Sequence, residues 1–215
     1  MKLKVIICAV ILGGILTPAH ADSLTIITIV KDTSKISSAE LKSISDIVKI
    51  YVPLVTKAWG LSTMNVNYSD TVVAGTWNVF LTDKNRQKNS AGYHDVENGF
   101  PTAYVSPSSS MLDNKLSRKV RSNVLWGMPS IGYPGFLNAI THEIAEMIVN
   151  PNLTNKGSVG LIEICDPLND NYFVIGKAVV ADFALPSLFN PKGVAPFSHA
   201  NTKGLVAGES NEYVS

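Results

Sequence analysis

The stretch FLNAITHEIAEMIVN, Phe136 to Asn150, constrains the fold more than any other part of the chain. Leu137, Ile140, Ile144 and Ile148 recur three and four residues apart, which sets them in one stripe of an α-helix. Pro134 suits the first turn, where a helix needs no N–H, and Pro151 stops the helix. Against the stripe stand His142, Glu143 and Glu146, flanked by Ala139, Ala145 and Val149 rather than by the Lys and Arg of a solvated face. Such a helix is expected to pack one face on a core and turn the other to a cleft.

Residues four apart share a helix face, so His142 and Glu146 can hold one cation from successive turns. Glu143 lies beside that position rather than on it, where a base must sit to take a proton from water that the cation activates. An ordinary amphipathic helix produces the same pattern, and the spacing alone leaves both readings open. A second acidic cluster follows, with Glu163 seventeen and Asp166 twenty residues beyond Glu146. Either of them can complete the ligand set.

The rest of the chain reads as an α+β arrangement. Leu24 to Val30 is a β-branched run and predicts a strand. A helix follows, capped by Ser37 or Ser38, with Leu41, Ile44, Ile47, Val48 and Tyr51 at helical spacing. Pro53 is expected to kink or split it before Gly60 ends it. MNVNYS and the Thr76 to Leu81 run predict two strands, and Thr102 to Pro107 one more. Between them, Lys84 to Gly99 is polar and reads as a turn-rich loop containing GYHD; a histidine in such a loop is expected to be exposed. If it does reach the cleft, His94 can bind substrate or metal, and Tyr93 or Tyr172 can polarise a carbonyl.

Lys2 and Lys4, the apolar run Val5 to Leu16, and Ala19-His20-Ala21 have the order of a secretory signal peptide over residues 1–21. The apolar run is too short for a helix across a hydrocarbon core of about 30 Å, so no membrane span is expected there or later. Residues 22–215 fit one domain, secreted or periplasmic. The formal net charge of +1, with 16% charged residues, argues against nucleic acid as a partner. The basic run Lys115, Arg118, Lys119 and Arg121 lacks interleaved aromatics and reads as a solvated surface. Cys165 is the only cysteine after that leader, so no internal disulfide holds the domain, and a buried structural thiol is expected.

With these residues in view, the chain resembles the zincin metallopeptidases. HEIAE…NP followed by EICD is similar to a pattern of bacterial and phage zincin-like proteins of unassigned role, and more distantly to exordium-like phosphate-induced proteins. GYHD and DFALPSLFNP resemble further segments of the bacterial group, so the likeness runs from about Gly92 to Pro191. The resemblance implies a small mixed sheet packed on helices and a peptide or protein substrate. It implies a zinc ion on His142, Glu146 and either Asp166 or Glu163, and Glu143 as catalytic base. The chain departs from the family at Glu146, which stands where the second histidine of the motif is expected. Two anionic ligands neutralise a divalent cation and weaken it as a Lewis acid. They also make manganese or calcium compatible with the set. The alternative implied by that departure is a non-catalytic zincin-like binding or cell-surface protein with a vestigial or structural metal.

Overall fold

The structure, a computed structural model, describes residues 25–84, 90–107, 135–155, 162–168 and 171–208. The leader, the basic run and Pro134 lie outside the described residues. Strand β1 (Ile26–Asp32) leads into helix α1 (Ser38–Ala58), followed by β2 (Asn65–Ser69), β3 (Trp77–Thr82), β4 (Gly92–Glu97) and β5 (Phe100–Val105). Helix α2 (Phe136–Val149) and the hairpin of β6 (Tyr172–Ile175) and β7 (Ala178–Ala181) complete the elements. Among the described residues, no helix is long and apolar enough to cross a membrane.

The five-stranded sheet has the order β2-β1-β3-β5-β4. Its strands are parallel except β4, which pairs antiparallel with β5 at one edge. The chain is thus mixed α/β, with α1 and α2 packed on each other and on the sheet. Ile29, Val79 and Ala103 are register partners across β1, β3 and β5, and His94 continues that row on β4. Register partners share a face of the sheet. A row of fully buried aliphatic side chains therefore ends, at the sheet edge, in an imidazole.

Helix α1 starts as its sequence dictates. The Ser37 hydroxyl accepts the Glu40 N–H at 3.2 Å, and the Glu40 carboxylate accepts the Ser37 N–H at 2.7 Å, closing a capping box. Pro53 lies on the exposed side and does not split the helix, which runs on to Ala58. Gly60 then takes the left-handed conformation, φ 64°, that ends it. The buried side of α1 carries Leu41, Ile44, Val48, Tyr51, Val52 and Val55. Each such side chain contributes about 1.5–3 kcal/mol relative to leaving it in water.

Two expectations are corrected. The segment read as a polar loop contains β4, and its histidine is buried: the inward positions of this edge strand are Gly92 and His94, so no apolar alternation marks it. Helix α2, expected to turn its polar face to a cleft, is buried on nearly every side, with His142 its one partly exposed residue. Sheet, α1 and β7 surround it, so its two glutamates lie inside the protein.

Candidate metal centre

Three elements bring seven potential ligands together. Helix α2 supplies His142, Glu143 and Glu146; β4 supplies His94; the segment 162–168 supplies Glu163, Cys165 and Asp166. That segment is fixed from two sides. The Ala184 N–H donates to the Ile164 carbonyl at 2.7 Å, and the Cys165 and Asp166 N–H groups donate to Glu146 Oε1 at 3.1 and 3.3 Å. Helix α2 is itself tied to β7, since the Ala181 N–H donates to the Thr141 hydroxyl at 2.9 Å. The twenty-residue interval between Glu146 and Asp166 is therefore bridged by hydrogen bonds from that turn's main chain to the glutamate.

On one side of Glu146, His142 Nε2 lies 3.2 Å from its Oε1 and 3.2 Å from Asp166 Oδ1. On the other side, Glu146 Oε2 lies 3.8 Å from His94 Nδ1, which is 3.6 Å from Glu143 Oε2. The far nitrogen of His94, Nε2, faces Glu163 Oε2 at 3.6 Å. Glu163 is thus a neighbour of His94, while Asp166 is the carboxylate beside His142. The side chains of His94, Glu143 and Glu146 are 7%, 8% and 5% exposed, which puts their charges out of reach of bulk water.

Gly92 makes room for this packing. A Cβ there would lie 2.7 Å from Glu143 Cγ and 2.8 Å from its Oε1, so only glycine lets the carboxylate lie against β4. Glu143 Oε2, His94 Nε2 and Glu163 Oε2 are buried without a hydrogen-bond partner. Unpaired polar atoms cost about 1–3 kcal/mol each, and more when charged. A native protein tolerates a group of them where an ion or a substrate completes the set.

The electrostatics follow from crowding. Burial works against a charged His142 ring, but Glu146, Asp166 and Glu143 outweigh it and hold its pKa well above the ordinary value. Burial opposes the charge on His94 as well, yet Glu143, Glu146 and Glu163 raise its pKa to about 9. Glu143 is raised, chiefly by burial, with His94 and His142 acting against the shift. Glu163 is pushed up to about 8 by burial and then by Glu146. Glu146 goes the other way: burial would raise it, but His142, His94 and the Cys165 N–H lower it. Four carboxylates share two imidazoles, and among the described residues their cationic partners are those histidines.

His142 Nε2 lies 3.2 Å from a carboxylate oxygen of Glu146 and from one of Asp166, close to the roughly 3.3 Å between donors on a tetrahedral ion with bonds of about 2.0–2.1 Å. Among the described residues, the groups whose donor atoms all lie within 4.8 Å of one another are His142, Glu146 and Cys165, and His94, Glu143 and Glu146. The buried Cys165 thiol also contacts the His142 carbonyl at 3.8 Å, and burial and Glu146 drive its pKa well above the usual value. No protein-family model, curated protein or solved structure matches the chain.

Other residues singled out in the sequence lie elsewhere. Tyr93 points to the opposite face of the sheet, where its ring stacks on Tyr104 at 5.0 Å, and Tyr172 is exposed on β6. His199 is exposed and stacks on Phe183. The DFALP segment is structural: buried Asp182 accepts from the Phe183 and Ala200 N–H groups and from the Thr202 hydroxyl, at 2.8–2.9 Å. Asn150 likewise ends α2, its side-chain oxygen accepting the Asn155 N–H at 2.9 Å. His94 is the residue whose placement the sequence concealed most.

Proposed function

We propose that the chain is a metal-dependent hydrolase acting on peptide or protein substrates, with zinc as the resident cation. One observation carries this reading: two imidazoles and four carboxylates meet in one cluster, in which Glu143 Oε2, His94 Nε2 and Glu163 Oε2 are buried with no hydrogen-bond partner. His142, Glu146 and Asp166 would hold the ion. When bound, a divalent cation supplies electrophilic polarisation and makes water acidic enough to act as a nucleophile near neutral pH. Glu143 would be the residue that takes up a proton from such a water. Burial has raised its pKa, which moves a carboxylate toward the range where a general base is effective. His94, beside Glu143 at 3.6 Å, orients the base and reduces the cost of its charge.

The five-stranded mixed sheet packed on two helices, with the motif on the second, supports the zincin-like resemblance. Export rests on the residue 1–21 pattern, and N-terminal sequencing of material outside the cytoplasm is expected to begin at Asp22. The test of activity is hydrolysis of a broad fluorogenic peptide library by protein stripped with a chelator and then reloaded with zinc. Cleavage should vanish on stripping and return on reloading. Glu143→Gln should lower it by about 10²-fold or more with zinc content unchanged.

A second reading is favoured by the two main-chain hydrogen bonds that Glu146 Oε1 accepts, which make this ligand a clamp on the 162–168 turn. On that reading the cation is structural and the chain is a binding or cell-surface module. Stoichiometric zinc with no cleavage across the library selects it.

A further inference from the structure

We propose a second cation site beside the first, with His94 Nδ1, Glu143 Oε2 and Glu146 Oε2 as ligands and Glu146 as a carboxylate shared by both ions. The inference rests on the first site being a metal site. Its geometry is independent of that site, because the two oxygens of Glu146 face different histidines. Oε1 lies 3.2 Å from His142 Nε2 and Oε2 lies 3.8 Å from His94 Nδ1. His94, Glu143 and Glu146 each present one donor atom, and the three lie within 4.8 Å of one another.

The cluster is more than a patch of acids. The Glu143 side chain is 8% exposed, and its Oε2, aimed at His94 Nδ1 from 3.6 Å, has no hydrogen-bond partner. Gly92 leaves the space in which that carboxylate lies, as the 2.7 Å approach of a Cβ to Glu143 Cγ demonstrates. Glu163 is the positioning residue. Its Oε2 faces His94 Nε2 at 3.6 Å, and a closer approach on loading would hold the ring N–H on that side and leave the Nδ1 lone pair for a cation.

Donor separations of 3.6 and 3.8 Å are wider than those around His142, so the second site suits a larger, oxygen-preferring ion such as Mn²⁺. A carboxylate bound to a cation does not accept a proton. Filling this site therefore withdraws Glu143 from its role as base, and the second ion acts as a brake on hydrolysis.

The experiment titrates Mn²⁺ into protein already carrying one zinc per chain, following the loss of the free Mn²⁺ spectrum by electron paramagnetic resonance. Wild type should take up one Mn²⁺ equivalent with zinc retained, and peptide hydrolysis should fall in step with uptake. His94→Ala should lose that uptake. Glu163→Gln, a mild change at a partly exposed residue, should weaken it about 10–100-fold while keeping the zinc. Saturation of wild type at zinc alone, or equal Mn²⁺ uptake in wild type and His94→Ala, would overturn the second site, and equal uptake in Glu163→Gln would overturn the positioning role of Glu163. Mn²⁺ uptake with hydrolysis undiminished would remove Glu143 from it. Failure to load the first zinc refutes the underlying metal reading instead, and is seen before any Mn²⁺ is added.

Discussion

Gly92 on β4 and Glu143 on α2 are packed so closely that a methyl group on the glycine would sit 2.7 Å from Glu143 Cγ and 2.8 Å from Oε1. The strand and the helix meet where the proposed base lies. A residue with no side chain thus sets where the Glu143 carboxylate can lie.

Gly92→Ala should therefore push the Glu143 side chain away from His94 while leaving His142, Glu146 and Asp166 in place. Overpacking of this kind costs about 1–3 kcal/mol, so denaturant melts should register a moderate loss of stability. Zinc content should stay near the wild-type value, and hydrolysis should drop by at least about tenfold. An alanine variant with full activity would show that the Glu143 position is not what matters.

The metal-free protein should lose stability as pH rises. Glu163 has its pKa raised from the ordinary 4.5 to about 8, so between those values the folded chain holds a proton that the unfolded chain has released. His94, raised from 6.5 to about 9, contributes stability that is fully present below pH 6.5 and lost as pH climbs through 9. His142 and Glu143 shift upward as well and add to the same slope. Zinc binds the deprotonated ligands, so the rise in Tm on adding zinc should grow with pH over the same window. Thermal melts at pH 5, 7 and 9, with and without zinc, check both trends. A Tm of the stripped protein that increases across this range would contradict the crowding described above.

Asp182 separates structure from chemistry. Its buried carboxylate accepts two main-chain N–H bonds and the Thr202 hydroxyl, tying Phe183 to the 200–202 segment. Asp182→Ala strands those donors, each at about 1–3 kcal/mol, and should lower Tm clearly. Zinc affinity of the fraction that remains folded should not change, because Asp182 touches none of the proposed ligands. Equilibrium dialysis beside a melting curve reads both quantities.

Much of the layout was legible because it follows local rules. A serine cap at Ser37 or Ser38 and the Leu41, Ile44, Val48 and Tyr51 spacing announced α1, and the Leu137, Ile140, Ile144 and Ile148 stripe announced α2. His142, Glu143 and Glu146 lie together, as their spacing requires, and Asp166 joins them. Strand β4 was hidden for a physical reason. Its inward positions hold Gly92, which must be small, and His94, which must be polar, so the alternation that marks a half-buried strand is missing. The burial of α2 was hidden too. Helical periodicity cannot tell a polar face turned to water from one turned to a histidine on another strand, and His94 is that partner. Nor could spacing divide the work of Glu163 and Asp166, since only the fold sets one against His94 and the other against His142.

The central claim is a cation held by His142 with Glu146 and Asp166, and zinc affinity in wild type and His142→Ala tests it most directly. Chelator-stripped protein dialysed against buffered zinc should bind at least one equivalent per chain. His142→Ala should bind that equivalent at least about 100-fold more weakly while keeping its far-ultraviolet circular dichroism spectrum. Equal affinity in the two proteins, or no zinc bound by either, would contradict the account.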